Sequence, residues 1–345
     1  MFLLYQTVTI KTQIMELSDF NKKLARTFVK DFGIPVSVIS EAHFFYMMHS
    51  LGYTHEWSFL VKTLNSFPGI FESQVEQFLS ERDRIRDEIV KEITNRPEYQ
   101  KFNTCDMNVY KHADIQVSKN KEYTQYISID LKNANIQALH YVNPEITLGE
   151  NTWDGLVQRI NGHNSMSEYI IASKRFRQVV FGMLNPKRAV VVEKYMISKV
   201  YDVLFRSNYS LTDVVSFNND EIVFGTDFPV CSGFSEDFTE LILRETGFDV
   251  HVRTYNKRVV RMRNLSNYDL TQKFDLITYG DGKTKMRGVP GYLHAIVYQL
   301  ARGRSVNNNH RHFMNDNMDC MIMDDFVLCD ENGNDINEIL IKDGI

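Results

Sequence analysis

The chain has 345 residues, enough to bury a full core and to form two or three sub-domains. Its hydrophobic and charged fractions, 43% and 24%, are those of an ordinary soluble globular protein. Four cysteines (Cys105, Cys231, Cys320, Cys329) without a CxxC pair point to a reducing compartment and away from a structural zinc site.

The opening Met1-Phe2-Leu3-Leu4 run is too short for a membrane span and carries no signal-peptide pattern, so an intracellular protein with no membrane partner is expected. The net charge of -5 disfavours nucleic acid on average but conceals a local pattern. From Ile171 to Arg206 there are eight Lys/Arg against two Asp/Glu, and from His251 to Arg304 eleven against three. After Ser305 the balance reverses to two against nine. A phosphate-binding face needs only such a local excess, while solvated surface is the alternative reading of the same runs.

Ser18 to Glu98 reads as helices; the Leu79–Val90 stretch combines i,i+4 charges with an apolar stripe. Pro68-Gly69 marks a turn before it and Arg96-Pro97 a stop after it. Phe44, Phe45, Tyr46, Met47, Met48 and Leu51 read as core. From Gln116 the texture changes. A strand runs to Asp130 in Tyr126-Ile127-Ser128-Ile129-Asp130-Leu131-Lys132-Asn133-Ala134, and Trp153 and Leu156 follow as packing anchors. Tyr169 to Met183 reads as a helix, or a helix then a turn, and Ala189 to Phe205 as a second helix. Strands Asp213–Phe217 and Ile222–Phe224 flank an Asn218-Asn219 turn, which puts Asp220 and Glu221 at a hairpin tip. Ser235 is a candidate N-cap and Gly247 a stop for the next helix. Phe248 to Met262 reads as a hairpin around Asn256-Lys257. The His310-Arg311-His312 pair of histidines reads as surface loop, and Asp330–Asp335 as a turn at Asn332-Gly333 rather than a calcium loop. The sum is an α+β fold, an antiparallel sheet backed by helices. A helical N-terminal region (1–115) precedes it, and a small C-terminal region follows.

Two apolar strands thus end in carboxylates. Carboxylates on adjacent buried strands repel and are costly to desolvate unless positive charge sits between them, and a pair of Mg²⁺ ions is one such charge. The competing reading is that Asp130 caps a helix and Asp220 closes a turn.

Order and residues together resemble the palm of right-hand nucleic-acid polymerases, closest to reverse-transcriptase-like palms. Ile129-Asp130-Leu131-Lys132-Asn133-Ala134 is similar to their first catalytic strand. Phe181-Gly182-Met183-Leu184-Asn185-Pro186 with its helix resembles their template-contacting loop, and Phe217-Asn218-Asn219-Asp220-Glu221 their second carboxylate hairpin. Lys283-Thr284-Lys285-Met286-Arg287-Gly288-Val289 resembles the segment that grips the primer strand. The chain departs from the pattern in having Glu221 where a second Asp is usual and Asn219 before the pair.

The resemblance implies a catalytic domain at 116–265 and a thumb-like or primer-grip region with an acidic tail at 266–345. It implies a template-directed nucleotidyltransferase, at a cytoplasmic, nucleoid or viral replication site. Asp130 and Asp220 would hold Mg²⁺ (or Mn²⁺), with Glu221 as a further catalytic candidate. Lys174, Arg175 and Arg177 would meet incoming nucleoside triphosphates, an exposed basic helix face being the alternative. Gln178, Asn185, Lys283, Lys285 and Arg287 would contact template and primer. Asn135 stands where a bulky aromatic usually excludes the ribose 2′-hydroxyl, which implies tolerance of ribonucleotides; the alternative is a solvent-facing turn residue. Tyr279 and Tyr292 are stacking candidates or core-edge aromatics. A catalytically inactive palm-like subunit, binding nucleic acid or partner proteins in a replication or transcription complex, is the second reading. A structural protein with incidental hairpin carboxylates is the third.

Overall fold

The computed structural model describes residues 20–118, 121–206, 213–228, 230, 233–267, 271–316, 318–336 and 338–341. The opening Met1–Leu4 run, Ser18 and Cys231 lie outside them.

The N-terminal helices form where the sequence places caps and stripes. Helix α1 (Lys22–Phe32) starts on Asn21, whose side chain accepts from the Leu24 N–H, and stops at Gly33 in the left-handed region (φ 66°). Helices α2 (Glu41–Ser50), α3 (Thr54–Leu64), α4 (Phe71–Thr94) and α5 (Pro97–Thr104) follow. Along α4, Val75, Phe78, Ile85, Ile89 and Ile93 are buried, while Arg84 pairs with Glu81 and Glu88 on the outer side. One charged pair goes inside. Asp31 of α1 holds Arg82 of α4 and accepts a 2.9 Å hydrogen bond from Tyr169 Oη. This polar knot ties α1 and α4 to the middle helices.

Strand β1 (Gln125–Leu131) leads into α6 (Ala134–Val142). Helices α7 (Trp153–Asn161), α8 (Ser165–Ala172), α9 (Lys174–Met183) and α10 (Pro186–Arg206) precede the hairpin of β2 (Asp213–Phe217) and β3 (Glu221–Thr226). Then come α11 (Phe234–Thr246), β4 (Val250–Asn264), β5 (Thr271–Tyr279) and β6 (Thr284–Arg287). The chain continues through α12 (His294–Ala301), α13 (Asn308–Arg311), the β7 (His312–Asn315) and β8 (Met318–Met321) hairpin, and β9 (Phe326–Cys329).

The main sheet runs β2-β3-β1-β4-β5-β6, with β9 added beside the far end of β4. Its pairings are antiparallel throughout, so the fold is α+β. The sheet continues past residue 265 into β5 and β6. Ile127, Ile129, Leu131, Ile222, Phe224, Val250, Val252, Phe274 and Leu276 belong to the main hydrophobic core. Helix α11 packs on β4 and α10 on β3, with α6 against α10, which closes that side. The alternate residues face the other way. There Tyr123, Tyr126 and Val223 form a small separate cluster, and Gly225 leaves room for the Tyr123 ring, which a Cβ at that position would strike. Among the described residues no helix is long and apolar enough to cross a membrane.

Three local expectations are corrected. Phe248–Met262 is not a hairpin at Asn256-Lys257: β4 is one strand of 15 residues. Asn256 and Lys257 stay extended because β5 pairs with them, Asn256 opposite Thr278 and Lys257 opposite Ile277. Ser235 does not cap α11. The helix starts one residue earlier, after Gly233, with the Phe234 ring centroid 4.0 Å from that of Phe238. His310 is not surface loop. It is 3% exposed, and its Nε2 lies 3.0 Å from Ser50 Oγ, which fastens α13 to α2.

The acidic C-terminal segment is partly spent on the basic one. Glu338 pairs with Arg258, and Asp335 with Arg263, both on β4.

Candidate active site

The site lies at the end of the two central strands, on the face away from the helices. In register, Asp130 on β1 stands opposite Glu221 on β3 and His251 on β4. Paired residues of an antiparallel ladder share a face, so Glu221 and Asp130 lie on the same side of the sheet. Asp220 occupies the β2–β3 turn, which closes through the Asn218 N–H to Glu221 carbonyl bond of 2.8 Å. The Leu131 N–H donates to the Asp220 carbonyl (2.8 Å), which locks the tip against β1. Ser128 Oγ donates to Glu221 Oε1 at 2.6 Å and fixes that carboxylate.

The cost of this arrangement is visible in the protonation equilibria. Burial, then Asp220 and Glu221, push the Asp130 carboxyl up from 3.8 to about 6, against the opposing pull of Arg253 and Lys174. Burial and Glu221 raise Asp220 as well. Cations gather on the same side. Arg253 Nη2 is 3.4 Å from Asp130 Oδ2. Burial, then Lys174, Arg287 and Arg253, push the Lys285 ammonium down. Four cations from α9, β4 and β6 therefore converge beside three carboxylates. Arg253 also lies over the Tyr279 ring, and Tyr126 stacks on Tyr255 in the next row of the sheet.

The turn after β1 is held from behind. Asn133 adopts the left-handed conformation (φ 49°), which Asn tolerates, and its side chain accepts from Arg177. Buried Gln137 donates to the carbonyls of Lys132 and Asp249 and accepts from the Asp249 N–H. One side chain thus ties the end of β1 to the start of β4.

A cavity of about 140 Å³ opens between α6, α9 and the start of α10. Asn135, Gln178 and Asn185 all line it. Burial, then Asp220, push the Glu193 carboxyl of α10 up to about 7, and this carboxyl accepts from Asn135 Nδ2.

The structure brings together most of the residues singled out from sequence. Asp130, Asp220 and Glu221 cluster, with Lys174, Lys285 and Arg287 beside them. Arg177 reaches the Asn133 turn, and Asn135, Gln178 and Asn185 share the cavity. Two cations lie apart. Arg175 packs beside Gly33 and hydrogen-bonds Gln178, and Lys283 pairs with Asp281 at the β5–β6 turn. Tyr292 lies beside Phe313 in the C-terminal region, the two rings tilted at 38°. Sequence reasoning missed Arg253, Gln137, Ser128 and Glu193. The signal for Glu193 was present: it lies four residues after Ala189 and three before Met196, inside the apolar stripe of α10.

No known protein family, curated protein or solved structure matches this chain. Among the described residues, no group of three or more His, Cys, Asp or Glu side chains is arranged to hold a metal ion. The donors at the hairpin are nonetheless all carboxylate oxygens, the chemistry that suits Mg²⁺ or Mn²⁺, and magnesium is commonly held by one or two carboxylates with phosphate and water completing the shell.

Proposed function

We propose that this chain is a template-directed nucleotidyltransferase that extends a nucleic-acid strand from nucleoside triphosphates. The observation that carries the reading is the convergence of Lys174, Arg253, Lys285 and Arg287 on the Asp130, Asp220 and Glu221 carboxylates. Like charges on each side raise the free energy of the empty site, and a bound polyphosphate with divalent cations relieves both sets at once. The order of strand, helices, hairpin, helix and strand agrees with the resemblance to reverse-transcriptase-like palms.

Asp130 and Asp220 would hold Mg²⁺ or Mn²⁺, with Glu221 positioned by Ser128. Bound there, divalent ions supply charge neutralisation at phosphoryl oxygens and an activated hydroxyl nucleophile. Lys174 and Lys285 act as point charges for phosphate, and Arg253 and Arg287 offer bidentate grips. Arg177 supports the Asn133 turn that shapes the nucleotide side of the site. Asn135 places an amide rather than a bulky ring at the sugar position, which favours acceptance of ribonucleotides. Gln178 and Asn185 line the same cavity for contacts to base or template. Lys285 and Arg287, on the edge strand β6, would follow the primer phosphates.

A second reading keeps the binding face without chemistry: an inactive subunit of a replication or transcription assembly. The Arg253–Asp130 pair favours it, because that cation already offsets part of the charge of the first carboxylate. Strand extension with Mg²⁺ or Mn²⁺ separates the two readings. Activity lost in Asp220→Asn supports the enzyme; nucleic-acid binding without extension in wild type supports the inactive subunit. Extension that Asp220→Asn leaves intact overturns the assignment of Asp220.

A further inference from the structure

One edge of β4 is shared by two strands that do not meet. β1 covers it from Val250 to Tyr255, and β9 from Arg261 to Asn264. Among the described residues, positions 256–260 have no strand partner on that edge, although all five pair with β5 on the other. Successive residues of a strand turn their N–H and C=O groups to opposite edges. The Thr254 carbonyl accepts from Gly280, at the end of β5. The Asp249 carbonyl accepts from Lys132 at the end of β1, and the Leu265 N–H donates to Asp325 just before β9. Odd-numbered residues of β4 therefore face away from β5. Tyr255 and Arg261 meet β1 and β9 there, while the N–H and C=O groups of Lys257 and Val259 point into the gap.

A cavity of about 320 Å³ opens at this gap. Three consecutive residues of β4, Lys257, Arg258 and Val259, form one wall, and Tyr126 and the 330–332 turn close its ends. Val259 is only 7% exposed, and backbone groups so withdrawn from solvent are normally paired. Here they offer donor, acceptor, donor and acceptor along one line. Five strand positions span about 17 Å, and β1 and the turn block that length at both ends. A strand passing through has no way in along the edge. A compact planar ring with a donor and an acceptor side by side fits both the line of groups and a cavity of this size. The rim disfavours an anion. Glu122, Asp330 and Glu331 stand against Lys257, because Arg258 is already paired with Glu338. Lys257 itself lies over the Tyr126 ring.

We propose that the gap between β1 and β9 is a binding site for an uncharged ring of the nucleobase class, held by its hydrogen-bonding edge against the Lys257 and Val259 backbone. The site is distinct from the carboxylate hairpin: Tyr126 precedes Asp130 by four residues of β1, about 13 Å along the strand. It does not depend on the nucleotidyltransferase reading.

The test is a titration of the full chain with adenosine, guanosine, cytidine and uridine, followed by backbone amide NMR. Adenosine is expected to move the Lys257 and Val259 amide signals more than those of Arg258 and Val260, whose N–H groups face β5. Adenosine methylated twice on its exocyclic nitrogen keeps the ring but loses the donor, and should bind at least about tenfold more weakly. Adenosine monophosphate should bind more weakly than adenosine, and Glu331→Gln should narrow that difference. Asn332→Trp, in the exposed turn, should obstruct the cavity and weaken adenosine binding at least about tenfold, the scale of one lost hydrogen-bonded contact. Asp220→Asn, at the hairpin, should leave it unchanged. Lys257 and Val259 amides that respond to none of the four nucleosides, or only to an extended Val/Thr peptide, overturn the proposal. So does equal binding of the dimethylated nucleoside, or binding that Asp220→Asn abolishes and Asn332→Trp leaves intact.

Discussion

The crowding of carboxylates at the hairpin makes a stability prediction that needs no substrate. Folding raises the Asp130 carboxyl from 3.8 to about 6, chiefly through burial and then through Asp220 and Glu221. A carboxyl raised in the folded state costs nothing while it is protonated in both states. The cost appears as pH climbs past 3.8 and is complete above about 6. A shift of that size corresponds to about 3 kcal/mol of lost stability at about pH 8. Asp130 is 30% exposed, so solvent screening reduces the expectation to about 2 kcal/mol. Asp130→Asn removes the charge and keeps the shape. Urea denaturation should show the Asp130→Asn variant more stable than wild type by about 2 kcal/mol at about pH 8, with the gap shrinking to a few tenths near pH 4. Saturating Mg²⁺ should narrow the gap at high pH by stabilising wild type alone. A variant that is less stable than wild type at high pH, or a gap that ignores pH, refutes the argument that burial and the neighbouring carboxylates make the Asp130 charge costly.

Further outcomes follow from the same structure. Glu193→Gln should also stabilise the fold at about pH 8 and have little effect near pH 4, because folding raises that carboxyl from 4.5 to about 7; parallel denaturation curves check this. Gln137→Ala removes three buried hydrogen bonds between the β1 turn and β4, and should cost about 2–3 kcal/mol by the same assay. Asp31→Asn leaves Arg82 with the more exposed Asp83 as its remaining counter-charge and should cost about 2–3 kcal/mol. Lys285→Met should weaken binding of single-stranded or primer–template nucleic acid regardless of sequence, and should lower the slope of log affinity against log salt by about one.

The sequence disclosed the strands, the hairpin and their carboxylates because period-two alternation and an Asn-Asn turn leave plain local signals. It also placed Lys174, Lys285 and Arg287 in basic runs. What it concealed was pairing. Asn256-Lys257 has the composition of a turn, yet β5 holds it extended, which no local window can reveal. Glu221 departs from the Asp usual in the resemblance, but strand register sets it opposite Asp130. Arg253 was one cation among eleven until the β1–β4 register put it beside Asp130. The acidic tail looked like a separate feature, whereas Glu338 and Asp335 neutralise two arginines of β4 and so leave the phosphate role to cations nearer the hairpin. Gln137 was hidden for a different reason: a lone buried amide leaves no mark in composition, and its value lies in joining the nearby Lys132 backbone to that of Asp249, 112 residues from Gln137.

The most direct test of the central claim is pyrophosphate release coupled to templated strand extension, measured at single turnover with Mg²⁺ and with Mn²⁺ on primed DNA and RNA templates. The account predicts stoichiometric pyrophosphate and one added nucleotide complementary to the template base in wild type, and a loss of at least about a thousandfold in both Asp130→Asn and Asp220→Asn. Folded wild-type protein that adds no nucleotide on any template with either metal, or variants that add it at the wild-type rate, would contradict it.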